Sequence, residues 1–144
     1  MKNKSRRGYA AKHDGATQLD AELARELKRV QAEEGVSCEN AHAVAHRLQK
    51  TPREAGTALD LMDLRIAHCQ LGLFGYSPRK RIVRPAATVD RELADGIRSA
   101  LVRGRLPCET AWALATQHQH SRLNVAETCE ALGIKIADCQ LGAF

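Results

Sequence analysis

Aromatic side chains are scarce in this chain of 144 residues, of which they make up 3%. Any hydrophobic core must therefore be built mainly from Ala, Leu, Ile and Val. Long apolar runs are missing too. No stretch approaches the roughly 18 residues of a membrane-spanning helix, and no apolar run follows the basic start MKNKSRRGYAAKHDG, as it does in a secretory signal. These absences predict a soluble cytoplasmic protein with no membrane partner, in which the five cysteines are reduced thiols.

Motifs of enzyme active sites are missing as well. The sequence has no G-x-S-x-G nucleophile turn, no glycine-rich phosphate loop and no acidic cluster with the spacing of metal ligands. His42 and His46 have a spacing that can bind a metal on a helix, but Ala43 stands where an H-E-x-x-H motif has glutamate. We therefore expect no enzymatic activity, no cofactor and no small-molecule substrate.

A tandem repeat is the main feature that is present. Residues 20–74 align with residues 90–144 at a constant offset of 70, without a gap and with 17 identities in 55 positions. The best-matching segments are IAHCQLGLF at 66–74 and IADCQLGAF at 136–144. Self-similarity at a fixed offset is typical of duplicated structural units.

The repeat predicts the domain organisation. The expected segments are a basic flexible tail at 1–19, a first repeat at 20–76, a basic proline-containing linker at 77–89 and a second repeat at 90–144. A unit of this size is near the lower limit for folding alone, which favours packing of the two copies on each other.

Within each copy the apolar positions recur with a helical period, as at Leu23, Leu27 and Val30. Asp20 and Asp90 are typical residues at the start of a helix, and we expect the first helix of each copy to begin there. Three helices per copy are predicted in this way.

The second and third helices of each copy are separated by a very short turn. In copy one the segment Thr51–Glu54 has Thr, Pro and Glu in the order of a capping box, with proline in the first helical position. Helix, short turn and helix with alanines at the contact is the helix-turn-helix pattern. An alternating segment follows at Leu64–Ile66, which predicts a strand leading into a small wing or hairpin. The expected fold class is mainly α, with two tandem three-helix, winged-helix-like units.

The elements LPCETAWALA and IKIADCQLGAF resemble those of an uncharacterised bacterial family of duplicated winged-helix-like proteins, in which the repeated CQLG-x-F element is distinctive. The resemblance covers both copies and implies the same architecture with, at most, a regulatory or accessory role. Copy one departs from the better-matching copy two, since it has Ser37 in place of Pro107 and Met62-Asp63 in place of Leu132-Gly133.

The net charge of +5 is unevenly distributed. The tail at 1–19 and the linker segment at 77–89 each carry +4, whereas residues 20–76 carry −2 and residues 90–144 carry −1. The repeat copies themselves are slightly acidic, which weakens a simple DNA-binding interpretation.

Four of the five cysteines obey the repeat, namely Cys38 with Cys108 and Cys69 with Cys139. The favoured interpretation is that they are buried small hydrophobes. A Cys₄ zinc site or a redox role is the weaker alternative. Cys38 and Cys108 lie in a predicted first helical turn, which favours a thiolate, but 31 positions separate the two cysteines of each copy, unlike the close pairs of structural zinc sites. Cys129 falls on an apolar helical face and is expected in the core.

Two functions are compatible with these patterns. The first is a small non-enzymatic DNA-binding or regulatory protein, in which the start of each third helix reads bases and the basic segments contact phosphates. The predicted base-reading residues are Thr51, Arg53, Thr57, Ser121, Arg122 and Asn124, and the predicted phosphate-binding residues are Arg79, Lys80, Arg81, Arg6 and Arg7.

The second is a protein–protein interaction module, or an accessory factor to a redox or metal enzyme, with no nucleic-acid binding. In that case the repeated Gln-Leu-Gly-x-Phe segments are either a seal over the core or the interface with a protein partner.

Overall fold

A computed structural model describes His13 and residues 17–144. The helices in this part of the chain are α1 (Ala21–Arg29), α2 (Cys38–Arg47), α3 (Pro52–Leu61), α4 (Arg91–Ser99), α5 (Cys108–His118) and α6 (Arg122–Leu132). The strands, of two residues each, are β1 (Val36–Ser37), β2 (Ile66–Ala67), β3 (Leu106–Pro107) and β4 (Ile136–Ala137). The prediction of a mainly helical fold is confirmed. None of the described helices has the length and apolar character needed to cross a membrane.

The two repeats have the same order of elements, and they share unusual backbone conformations at equivalent turns. The turn between the second and third helices has a left-handed residue in both copies, Gln49 with φ 57° and Gln119 with φ 59°. The turn after β2 and β4 has another such pair, His68 with φ 49° and Asp138 with φ 53°. Left-handed conformations are uncommon for residues other than glycine, so their recurrence indicates that the backbone path itself was duplicated.

The helices begin at the residues that the sequence predicts. The Asp20 carboxylate accepts the N–H of Leu23 at 3.0 Å, and Asp90 does the same for the N–H of Glu92. The Thr51 hydroxyl accepts the N–H of Glu54 while the Glu54 carboxylate accepts the N–H of Thr51 at 2.8 Å, so the predicted capping box is present. Each cap satisfies N–H groups that the first helical turn leaves without partners.

The strand predicted after the third helix is present, but its partner differs from the expected hairpin. β2 pairs in parallel with β1, with Val36 opposite Ile66, and β4 pairs in parallel with β3, with Leu106 opposite Ile136. A parallel pair needs a long crossover rather than a tight turn. The crossover in each copy consists of the second and third helices. The strand pair joins the start of the second helix to the segment that follows the end of the third.

The described chain divides into two compact units whose boundaries differ from those of the repeats. The first unit comprises the described residues up to His68 together with Leu141–Ala143, and the second comprises Cys69–Gln140 together with Phe144. The leucine of each CQLG segment therefore belongs to the unit built from the helices of the other copy: Leu71 lies in the second unit and Leu141 in the first.

Leu71, from copy one, is part of the core of the second unit. Leu71 is fully buried there and packs in one cluster with residues of α4, α5 and α6. The buried members of this cluster are Cys69, Leu71, Val83, Leu93, Ile97, Leu106, Cys108, Ala111, Leu114, Ala115, Val125, Ala126 and Cys129. Aromatic residues are absent from this buried set, as the composition predicts.

In the first unit, the third helix and the chain end approach each other closely. Leu141 is 2% exposed, and a Cβ atom at Gly56 in α3 would lie 1.7 Å from the carbonyl oxygen of Leu141. Glycine is therefore required at position 56 by the passage of another backbone segment.

Replacing Gly56 with alanine is expected to destabilise the protein. In a helix interior this change ordinarily adds about 1 kcal/mol of stability, but overpacking against a fixed backbone costs about 1–3 kcal/mol and more in severe cases. We expect the free energy of unfolding, measured by urea titration followed by circular dichroism, to fall by about 1–3 kcal/mol.

The matched control is Gly96→Ala in α4. A Cβ atom there would meet the side-chain ends of His118 at 3.1 Å and Leu114 at 3.3 Å, and these can move. Its effect should remain within about 1 kcal/mol. Equal effects of the two substitutions would contradict the packing of Leu141 on Gly56.

Candidate nucleic-acid interface

The start of α6 holds the three residues predicted to read bases in copy two, and the structure gives each of them a local partner. The guanidinium of Arg122 lies over the Trp112 ring, 3.6 Å from its centroid, and donates to Gln70 Oε1 at 3.2 Å. The Ser121 hydroxyl caps α6 by accepting the N–H of Asn124 at 2.9 Å. These groups hold the second unit together.

Asn124 is part of a short polar chain. Its side-chain nitrogen is 2.6 Å from Nδ1 of His120, and Nε2 of the same imidazole is 2.8 Å from the Asp90 carboxylate. These hydrogen-bonded side chains join the start of α6 to the start of α4. Base reading by Asn124 would require these hydrogen bonds to be exchanged for bonds to DNA.

The rest of α6 is covered by the segment that joins the repeats. The Glu127 carbonyl accepts the N–H of Ala86 at 3.0 Å, and Glu130 forms an ion pair with Arg81. Near the start of the helix, the backbone at Gly72 lies against the Leu123 side chain. The face that a recognition helix would present to a DNA groove is thus partly occupied by the chain itself.

The start of α3 in the first unit also lies at the surface. Thr51 and Arg53 are exposed and Thr57 is half-buried. All three line a cavity of about 360 Å³, whose wall also includes Gln18, Asp20, Glu54, Leu23 and Ala58. Arg53 forms no ion pair with any described residue. The predicted base-reading residues of copy one are therefore brought together at one surface.

The basic linker segment is anchored on the second unit. The N–H groups of Ile82 and Val83 donate to the Gly72 carbonyl at 2.9 Å and 3.2 Å, and the Val83 side chain is 7% exposed. Arg79, Lys80 and Arg84 are exposed on this anchored segment and form no ion pair with described residues, whereas Arg81 is paired with Glu130. Arg6 and Arg7 lie outside the described residues.

A second basic element was missed at the sequence level. The turn Val102–Arg105, between α4 and β3, exposes Arg103 and Arg105, and Lys135 is exposed beside β3, where its carbonyl accepts the N–H of Leu106 at 3.0 Å. Summing charge over whole copies hid it, because acidic residues elsewhere in copy two cancel it. Comparing charge position by position between the copies would have revealed it.

The assignment of the linker segment to the second unit changes the charge balance. Residues 69–140 carry ten basic and seven acidic side chains, a net charge of +3. Residues 17–68 carry seven basic and nine acidic side chains, a net charge of −2. Residues 17–68 are therefore slightly acidic and residues 69–140 are basic, while residues 1–16, which precede them, carry a further +4.

All five cysteines are buried, and none forms a disulfide with a described residue. Burial raises the pKa of Cys69 and Cys108 above the usual value, and it raises the pKa of Cys129 to about 11. At Cys108 desolvation therefore outweighs the helix start that favours a thiolate. Gln140 Nε2 donates to the Cys108 sulfur at 3.6 Å. Within the part of the chain that the structure describes, no group of three or more His, Cys, Asp or Glu side chains is placed to hold a metal ion.

The repeated CQLG-x-F segments form closed turns. The N–H of Cys69 donates to the Phe74 carbonyl at 3.1 Å, and the N–H of Cys139 donates to the Phe144 carbonyl at 3.0 Å. The glycine of each turn has a positive φ, which explains its identity in both copies. Because the leucine of each turn is buried in a core, these segments act as seals over the cores.

Comparisons with protein-family models, curated protein sequences and solved structures find no match for this chain.

Replacing Arg122 with glutamine tests its structural placement. The substitution removes the stacking on Trp112 and the hydrogen bond to Gln70. We expect the free energy of unfolding to fall by about 1–2 kcal/mol, from the loss of a partly desolvated cation–π contact and one hydrogen bond. Arg53→Gln is the matched control in copy one and should leave stability within about 0.5 kcal/mol. Equal stability of the two variants would contradict the assigned role of Arg122.

Thiol reactivity tests the burial of the cysteines. A pKa of about 11 for Cys129, against an ordinary thiol value of 9.0, lowers its thiolate fraction at pH 8 by about 100-fold. In the native protein we expect slow reaction of the thiols with Ellman's reagent, and fast reaction of all five after unfolding in guanidinium chloride. One equivalent of rapidly reacting thiol in the native protein would contradict this description.

Proposed function

We propose that this protein is a small, non-enzymatic DNA-binding protein with a regulatory role in the cytoplasm, and that its second unit supplies most of the contacts to DNA phosphates. The observation that carries the proposal is a set of exposed cations on that unit, none of which forms an ion pair with a described residue. The set comprises Arg79, Lys80, Arg84, Arg103, Arg105 and Lys135.

The placement of these cations supports phosphate binding. They lie on backbone segments that are held by hydrogen bonds. The linker segment is bonded to the Gly72 carbonyl, and the turn Val102–Arg105 is closed by its own hydrogen bonds and leads directly into β3. Cations on fixed segments lose less conformational freedom on binding than cations on a free tail. A basic surface also accelerates encounter with a polyanion.

Base reading is proposed for the first unit. Each unit has the three helices and tight turn of a helix-turn-helix-like fold, and the starts of α3 and α6 both line surface cavities. At the start of α3, Arg53 has the chemistry to donate to a guanine edge, with Thr51 and Thr57 beside it. In the second unit Arg122 and Asn124 have intramolecular partners, so we assign that unit to phosphate contacts.

The alternative is a protein–protein module without nucleic-acid binding. Its most specific candidate surface was the repeated Gln-Leu-Gly-x-Phe segment. Leu71 is fully buried and Leu141 is 2% exposed, so neither leucine is available to a partner in the folded protein. The exposed cations then favour DNA over a protein partner.

DNA binding is tested by the salt dependence of affinity for a labelled duplex of about 30 base pairs, followed by fluorescence anisotropy. If four to six of the cations contact phosphates, log K should fall against log salt with a slope of about −4 to −5. Affinity should then drop by about 10²–10³-fold between 50 and 200 mM salt. No detectable binding at about 50 mM salt, where phosphate contacts are least screened, would sink the proposal and leave the protein-partner alternative.

A further inference from the structure

The turn Val102–Arg105 has a backbone conformation that arginine does not favour. Arg103 has φ 55° and Gly104 has φ 78°, and the turn is closed by hydrogen bonds of 2.8 Å and 3.1 Å between Val102 and Arg105. Two successive positive φ values are typical of the tightest hairpin turns, in which asparagine is preferred at the first central position. Formation of the turn therefore does not account for arginine at position 103.

The side chains around this turn form a small cationic surface. Arg103, Arg105 and Lys135 are exposed, and none of them has an ion-pair partner among the described residues. Nearby in sequence, Arg98 approaches an acid only at 4.0 Å, in an exposed pair with Asp95. The Val102 side chain is 55% exposed at the edge of the same turn. The cations suit the phosphates of a nucleic-acid backbone, and an exposed apolar side chain beside them suits the sugars.

The equivalent turn of copy one has the same pair of closing hydrogen bonds, of 2.9 Å and 3.0 Å between Ala32 and Gly35, but it carries Glu33 and Glu34. Its backbone differs, because the positive φ of 126° lies at Gly35 and not at the two central residues. Glu34 has an ion-pair partner in His68 at 2.7 Å. At Gly35 a Cβ atom would lie 2.4 Å from the Arg65 carbonyl, so copy one has no room for the side chain that Arg105 adds in copy two.

The comparison of the two turns shows that closure of the turn does not depend on the sign of its charges. The fold forms with two carboxylates in the turn of copy one and with two guanidinium groups in the turn of copy two. Folding therefore explains the closure of the turn and leaves its cations unexplained.

We infer that the turn Val102–Arg105, together with Lys135, is a binding element for the sugar-phosphate backbone of duplex DNA. This inference rests on the proposed function and names the element that provides a defined part of it. Arg103 and Arg105 each contact a phosphate, Lys135 adds a third cation, and Val102 packs on the adjoining sugar. Such contacts position a protein on DNA and carry little base specificity.

The test is the double variant Arg103→Asn with Arg105→Gln. Asparagine suits the left-handed position, so the turn should keep its conformation. Loss of two phosphate contacts should weaken binding to a labelled 30-base-pair duplex by about 10- to 100-fold at 0.1 M salt, and it should make the salt slope less steep by about 2. The circular dichroism spectrum and the urea midpoint should remain those of the wild type.

The matched control is Arg25→Gln with Arg65→Gln on the first unit, which removes the same net charge at exposed positions. We expect it to change affinity by less than about threefold, because neither arginine belongs to the proposed phosphate-binding set. An equal loss of affinity in both double variants would show a general charge effect and overturn the inference.

Wild-type affinity retained by the Arg103→Asn, Arg105→Gln variant would overturn the inference and leave the proposed function standing. Failure of the wild-type protein to bind the duplex at about 50 mM salt would overturn both. These outcomes are distinguishable because the wild type and both variants are measured on the same duplex.

Discussion

Burial of the leucine from each Cys-Gln-Leu-Gly segment is the interaction on which both units depend. Each repeat has about 55 residues and almost no aromatic side chains, so its helices alone bury little apolar surface. A fully buried leucine contributes about 1.5–3 kcal/mol, a large share of the stability of so small a unit. Because Leu71 belongs to the second unit and Leu141 to the first, each unit needs a segment from the other copy. The fold of each unit therefore uses residues of both copies.

Local features were predictable from the sequence. The helices, the capping box at Thr51–Glu54 and the core position of Cys129 all depend on residues close together in the chain, where periodicity and capping rules apply. The parallel strand pairs and the exchange of the leucines were not predictable, since no local pattern says which copy a segment packs against. The same holds for Arg122, whose hydrogen-bond partner Gln70 is 52 positions away.

The repeat also shows which features the fold retains and which have changed with function. In copy one Asp20 pairs with Lys50 at 3.1 Å, and at the equivalent positions of copy two Asp90 pairs with His120 at 2.8 Å. The pKa of Asp20 is lowered mainly by the N–H of Leu23, and that of Asp90 mainly by the hydrogen bond with His120. The contact at this position persists although the partner of the aspartate differs. The turns at 32–35 and 102–105, in contrast, carry opposite charges, and the linker segment at 77–89 adds +4, so that residues 69–140 are basic.

The proposed binding of DNA through the cations of the second unit can be followed by titrating the ¹⁵N-labelled protein with a short duplex and recording amide chemical shifts residue by residue. We expect the largest shifts in residues 79–84, in residues 102–106 and at Lys135, with smaller shifts near the start of α3. Shifts confined to the acidic turn at 32–35, or the absence of any shift at low salt, would contradict the proposed binding.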